Sequence, residues 1–137
     1  MKQIHATCIA IDGKGVLLRG PSGVGKSDLA LRLIDGGGDL VADDRVDLDA
    51  AGGQLIASAP DNLKGFLEVR GLGIMRQEAY AETPVMLVVD LVAAGDVERM
   101  PEPEHTELQG IEIRLIRLDP LQISTPAKIR MALRQLV

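Results

Sequence analysis

Gly20-Pro21-Ser22-Gly23-Val24-Gly25-Lys26-Ser27 follows the apolar run Gly15-Val16-Leu17-Leu18-Arg19 and opens a segment, Asp28 to Ile34, with helical spacing. Strand, glycine-rich turn and helix in that order are the setting that a Walker A phosphate-binding loop requires. The glycines stand where a Cβ would clash, or where φ must be positive, if several backbone N–H groups are to converge on phosphate oxygens. The start of the following helix adds unpaired donors and the positive end of its dipole. Lys26 is then the mobile point charge for the β- and γ-phosphates, and the Ser27 hydroxyl is placed to ligate a Mg²⁺ ion bridging them. Gly20, Pro21, Ser22, Gly23, Val24, Gly25, Lys26 and Ser27 are therefore the candidate residues for binding a nucleoside triphosphate.

The 137 residues, with 46% hydrophobic content, suit one domain over residues 1–137 with one core. Aromatic content is 1%, Phe66 and Tyr80 alone, so the core must be aliphatic. That scarcity argues against a stacking platform for single-stranded nucleic acid, and a net charge of -5 argues against a broad basic surface for duplex DNA. No nucleic-acid partner is expected. Cys8, the single cysteine, lies in an apolar run and reads as a small buried hydrophobe; it permits no internal disulfide and no cysteine-rich metal site. Met1-Lys2-Gln3-Ile4-His5 turns polar too soon for a signal peptide, and no apolar run approaches the roughly 18 residues of a membrane span. The expectation is a cytoplasmic protein with no membrane partner.

Residues 3–11 read as one strand, and Asp12-Gly13 as the hairpin turn into strand 15–19. This would put His5 near the start of the strand paired with the one that feeds the phosphate loop. In the helix after the loop, Ala30, Leu33 and Ile34 share a face, while Asp28 and Arg32 form an outer i,i+4 pair. Gly36-Gly37-Gly38 stops it, and the strand Asp39-Leu40-Val41-Ala42 ends in Asp43-Asp44. An apolar strand that ends in acids, one crossover after a phosphate loop, is where a carboxylate can face a metal and a transferring phosphoryl group.

Residues 45–49 and 54–59 alternate around Ala50-Ala51-Gly52-Gly53 and predict an extra antiparallel hairpin, so the sheet should be mixed. Pro60-Asp61-Asn62 makes a turn. Residues 67–74 combine a strand with an Arg-Gly-x-Gly break, and Glu68 and Arg70 point the same way by period two. A carboxylate and a guanidinium on one face suit a metal-phosphate site as well as they suit a solvated strand face. Residues 85–92 read as the most buried strand, 93–110 as an acidic loop with Arg99 standing out as its cation, and 111–118 as a strand. Thr125 and Pro126 read as the N-cap and first turn of a closing helix marked by Ile129, Leu133 and Leu136. The fold class expected is α/β, with the phosphate loop between strand and helix.

With these pieces in place, the chain resembles the catalytic domain of HPr kinase/phosphorylase, the enzyme that phosphorylates a serine of HPr, the phosphocarrier protein of the phosphotransferase system. His5-Ala6, Gly20 to Ser27, Leu40-Val41-Ala42-Asp43-Asp44 and Leu67-Glu68-Val69-Arg70-Gly71-Leu72-Gly73-Ile74 carry the resemblance, from residue 4 to about 92. It implies a P-loop-containing kinase domain and a short form made of the C-terminal catalytic domain alone. It further implies an ATP- and Mg²⁺-dependent protein-serine kinase, with ATP or pyrophosphate as donor, assembled as a homohexamer. On the matching positions, Lys26 and Ser27 would contact phosphate and Mg²⁺, and Asp44 would take the proton from the substrate serine. Asp43 would be its neighbour at the metal, Glu68 the second Mg²⁺ ligand, His5 the active-site histidine and Arg99 the arginine of the mobile loop.

Two departures qualify the resemblance. Pro21 stands where many members carry an acid, which alters the loop surface more than the phosphate grip. Ser124-Thr125-Pro126-Ala127-Lys128 stands where longer members carry a Pro-Gly-Arg motif tied to phosphorolysis, so the phosphorylase direction is not carried over. Two other readings share the loop: a small-molecule or nucleotide kinase, and a non-catalytic module that senses ATP and docks a signalling partner. The absence of an Asn-Lys-x-Asp guanine motif speaks against a GTPase switch.

Overall fold

A computed structural model of the chain describes residues 2–135. Strands β1 (Lys2–His5), β2 (Thr7–Ile11) and β3 (Lys14–Arg19) precede helix α1 (Lys26–Asp35). Then come β4 (Asp39–Ala42), the hairpin β5 (Arg45–Ala51) and β6 (Gln54–Ser58), and a second hairpin, β7 (Phe66–Val69) and β8 (Gly73–Arg76). Strands β9 (Glu82–Leu91), β10 (Glu104–Leu108) and β11 (Ile111–Leu118) and helix α2 (Thr125–Gln135) complete the order.

Strand β9 decides the architecture, because its 10 residues are long enough to serve two sheets. Its first part pairs antiparallel with β6, Thr83 opposite Ala57. Its second part runs parallel to both β3 and β11, with Val88 opposite Leu17 and Leu115. One side of the curled sheet is thus the antiparallel order β1-β5-β6-β9, and the other is the mixed order β4-β2-β3-β9-β11-β10. Period-two alternation sends Cys8, Ala10, Leu17 and Val88 into a core shared with Val46, Leu48 and Leu55 of the hairpin. Ile9, Val16, Leu18, Leu87 and Val89 go the other way, onto Leu29 and Leu33 of α1 and Ile129 and Leu133 of α2. Strands covered on both faces have no polar side to show, which is why β2, β3 and β9 read as apolar runs. The core is aliphatic as expected: Phe66 and Tyr80 are 37% and 41% exposed.

The α/β class, the mixed sheet, the loop between β3 and α1 and the extra hairpin match the sequence reading. Four local expectations do not. Residues 3–11 are not one strand. The chain turns a corner at the buried Ala6, whose N–H donates to the Asp44 carbonyl at 3.2 Å. Strand β1 pairs with β5, placing His5 opposite Arg45, while β2 pairs with β3 and β4. Residues 67–74 likewise divide into β7 and β8, which pair only with each other. The segment 93–110 contains β10, antiparallel to β11 across Gln109 and Gly110 at φ 50 and 79. An edge strand needs no continuous apolar face, so its polar sequence concealed it. Thr125 is inside α2 and not its cap: its hydroxyl donates to the Asp119 carbonyl, and the Ser124 carbonyl accepts from Lys128 N–H at 2.9 Å. Leu136 lies outside the described residues. Among these residues, no helix is long and apolar enough to cross a membrane.

Candidate functional site

A cavity of about 470 Å³ opens where β3 runs into α1. Its donor wall is the loop. Gly23 and Gly25 have φ 83 and 113, a region that L side chains rarely enter, and a Cβ on Gly20 would stand 2.9 Å from Val24 Cγ1. Gly25 caps α1 without any side-chain bond to the helix's first amides, leaving those donors for a ligand. Lys26 is 7% exposed, and its ammonium donates to the Gly20 and Pro21 carbonyls at 2.7 and 3.0 Å. Burial draws that ammonium below the ordinary lysine range, and the charges of Asp44 and Asp43 oppose the shift.

Asp43 is the hub of the opposite wall. It is 8% exposed, and its Oδ1 accepts from the Thr7 and Ser27 hydroxyls, each at 3.0 Å. Its Oδ2 accepts from the Glu68 backbone N–H at 3.2 Å, so donors from β2, α1 and β7 converge on one carboxylate. The next residue is held differently. Asp44 has φ 70, and Arg45 N–H donates across it to the Asp43 carbonyl at 2.8 Å, the signature of the strained form of γ-turn. Backbone strain of this kind collects at functional sites. The turn presents the Asp44 side chain, 63% exposed, to the cavity; its Oδ1 is 2.7 Å from His5 Nε2 and its Oδ2 is 4.0 Å from Arg45 Nε.

A metal ion fits this donor set in one particular way. Among the described residues, no group of three or more His, Cys, Asp or Glu side chains is assembled to hold one. Mg²⁺ asks for less, one or two carboxylates with phosphate oxygens and water completing an octahedron of hard donors. Ser27 Oγ and Asp43, 3.0 Å apart, with Glu68 on the same cavity, supply that.

His5, Ser22, Gly23, Val24, Gly25, Lys26, Ser27, Asp43, Asp44 and Glu68 all line the one cavity. Gly20 and Pro21 do not line it and instead give Lys26 its acceptors. Arg99 is not brought there either: it lies in the connection from β9 to β10, its guanidinium 3.7 Å from Met100 Sδ. Arg70 does line the cavity, although β7 ends before it. Thr7 was missed by the sequence reading; its only signal was a lone hydroxyl at the head of the wholly buried run of β2.

The HPr Serine kinase C-terminal domain, as a family model, matches residues 1–129. Among curated relatives, the HPr kinase/phosphorylase of Cupriavidus necator is 39% identical over 126 residues, covering 84% of this chain and 39% of the relative. That of Clostridium tetani is 49% identical over 111 residues, covering 80% of this chain and 36% of the relative. The chain therefore spans less than half the length of these relatives. Among solved structures, the Hpr(Ser) kinase/phosphatase from Coxiella burnetii superposes with a TM-score of 0.84 at 30% identity, over 98% of this chain and 89% of that one.

Proposed function

This chain belongs to the HPr serine kinase C-terminal domain family, and on that premise we propose that it transfers the γ-phosphoryl group of ATP to a serine of HPr. The observation that carries the proposal is the 2.7 Å contact between Asp44 and His5 within the cavity that also holds Lys26 and Ser27. A serine hydroxyl set against Asp44 gives that carboxylate its proton as the serine oxygen bonds to the γ-phosphorus. The bond from that phosphorus to the β,γ-bridging oxygen breaks, and ADP leaves with the electron pair.

Asp44 suits the role of base and Asp43 does not. Asp43 is buried with both oxygens engaged by three donors, whereas Asp44 is exposed to an incoming hydroxyl. His5 orients the Asp44 carboxylate. Lys26 exchanges the loop carbonyls for phosphate oxygens, and the loop amides fix the donor in line. When bound by Ser27 and Asp43 with Glu68, Mg²⁺ would neutralise charge shared by the β- and γ-phosphates.

The same proposal includes a cytoplasmic location, no nucleic-acid or membrane partner and a homohexameric assembly, the last of which light scattering tests. Incubation with Mg²⁺, HPr and labelled ATP or pyrophosphate is expected to yield phosphoserine on HPr. Label appearing only on members of a metabolite panel, or tight ATP binding with no label on any protein, would overturn it.

A further inference from the structure

We propose that Arg70, and not Arg99, is the arginine that meets the transferring phosphoryl group; the assignment rests on the kinase reading of this cavity. Position is the first ground. Glu68 N–H is bonded to Asp43, and Leu67, one residue before, is fully buried in the core beneath α1, so the start of the β7–β8 turn is fixed against the acceptor wall. Leu72 N–H closes the turn on the Val69 carbonyl at 2.9 Å, with Gly71 and Gly73 at φ 94 and 101, and this sharp reversal presents Arg70 to the cavity.

Charge is the second. Asp28, Asp43, Asp44 and Glu68 line the cavity, and among the described residues the only lysine or arginine side chains on it are Lys26 and Arg70. Lys26 belongs to the donor wall. Arg70 has no hydrogen-bond or ion-pair partner among the described residues, so its guanidinium is uncommitted. The segment bearing Arg99 is moored elsewhere. Glu104 at its end accepts from Arg117 Nε and Nη2 at 3.2 and 3.0 Å, and Arg117 Nη1 lies 3.8 Å from Asp90.

As the serine O–P bond forms and the bond to the bridging oxygen breaks, negative charge spreads over the phosphoryl oxygens while the serine proton passes to Asp44. A planar guanidinium that bonds two of those oxygens stabilises this distribution more than it stabilises bound ADP.

Wild type, Arg70→Gln, Arg70→Lys and Arg99→Gln are compared in three measurements: affinity for Mg²⁺–ADP, affinity for Mg²⁺–ADP with aluminium fluoride as mimic of the phosphoryl group in transit, and kcat and KM on HPr. Arg70→Gln is expected to hold ADP affinity within about threefold, to lose about 100-fold on the fluoride complex and to lower kcat by roughly 10³-fold, with partial recovery in Arg70→Lys. Arg99→Gln should stay within about threefold throughout. A fluoride complex bound equally well by Arg70→Gln and wild type overturns the assignment, as does a loss of fluoride affinity confined to Arg99→Gln. Arg70-dependent fluoride binding without any phosphate on HPr leaves the assignment standing and removes the HPr reading instead. Unchanged thermal melting of Arg70→Gln confirms that the comparison is made on folded protein.

Discussion

The donor wall of the cavity is eight consecutive residues, Gly20 to Ser27, whereas the wall facing it takes His5 from β1, Thr7 from β2, Asp43 and Asp44 from the turn after β4, and Glu68 and Arg70 from the second hairpin. The donor wall is shaped locally, by positive φ at two glycines and by the start of a helix. The acceptor wall is shaped by register: its members meet only because separate strands pair correctly and because Asp43 gathers three donors. Lesions in the first should therefore cost binding, and lesions in the second should cost chemistry.

The largest effect expected is from Lys26→Ala, which removes the one donor-wall side chain that follows the γ-phosphate. Transfer should fall by roughly 10³-fold or more, with weaker nucleotide binding by calorimetry. Asp44→Asn breaks the other wall alone. Asn also tolerates positive φ, so the γ-turn survives, and kcat should fall by roughly 10² to 10⁴-fold with nucleotide affinity nearly unchanged. Full serine phosphorylation by that variant would show that the base lies elsewhere.

Thr7→Val is subtler. It keeps the shape of the side chain, deletes one donor to Asp43, and should cost about 1 kcal/mol in a denaturant melt together with roughly tenfold in Mg²⁺ requirement. An unchanged Mg²⁺ titration would make Thr7 a structural residue only. The smallest effect on function concerns the strand behind this wall. Burial pushes the Cys8 thiol up from 9.0 to about 12, so in that window the folded chain keeps a proton that the unfolded chain has released. Stability should accordingly be complete below pH 9 and fall as pH rises, by about 1.4 kcal/mol per pH unit from this thiol. Cys8→Ala should flatten that slope in urea melts from pH 9 to 11 and leave phosphoryl transfer at neutral pH intact.

The contrast between the walls also explains what was legible in the sequence. A phosphate loop states its geometry in the order of its own residues, and an apolar strand that stops at Asp43-Asp44 states where the acids will stand. The corner at Ala6 left no trace, because half-apolar alternation continues across it while the pairing partner changes. Thr7 was silent because threonine is at home in any strand, and its meaning depends on Asp43 lying 36 residues away. Arg99 drew notice as a lone cation among acids, whereas Arg70 lay within a strand pattern that the two glycines in fact turn into a hairpin. Strand β10 was hidden by the polarity that suits an edge.

The corner at Ala6 also has a consequence in time. Strand β2 closes on β3 across a two-residue turn, Asp12 and Gly13, and can do so as a local event. Strand β1, one residue before it, must wait for β5, and the contact between His5 and Asp44 closes a span of 39 residues, at a chain-entropy cost of roughly 3 kcal/mol. Contacts of that separation form late, after local hairpins and helices. A refolding chain therefore acquires a cradle for triphosphate before it acquires an oriented base, and the order of assembly keeps an unfinished molecule from spending its nucleotide.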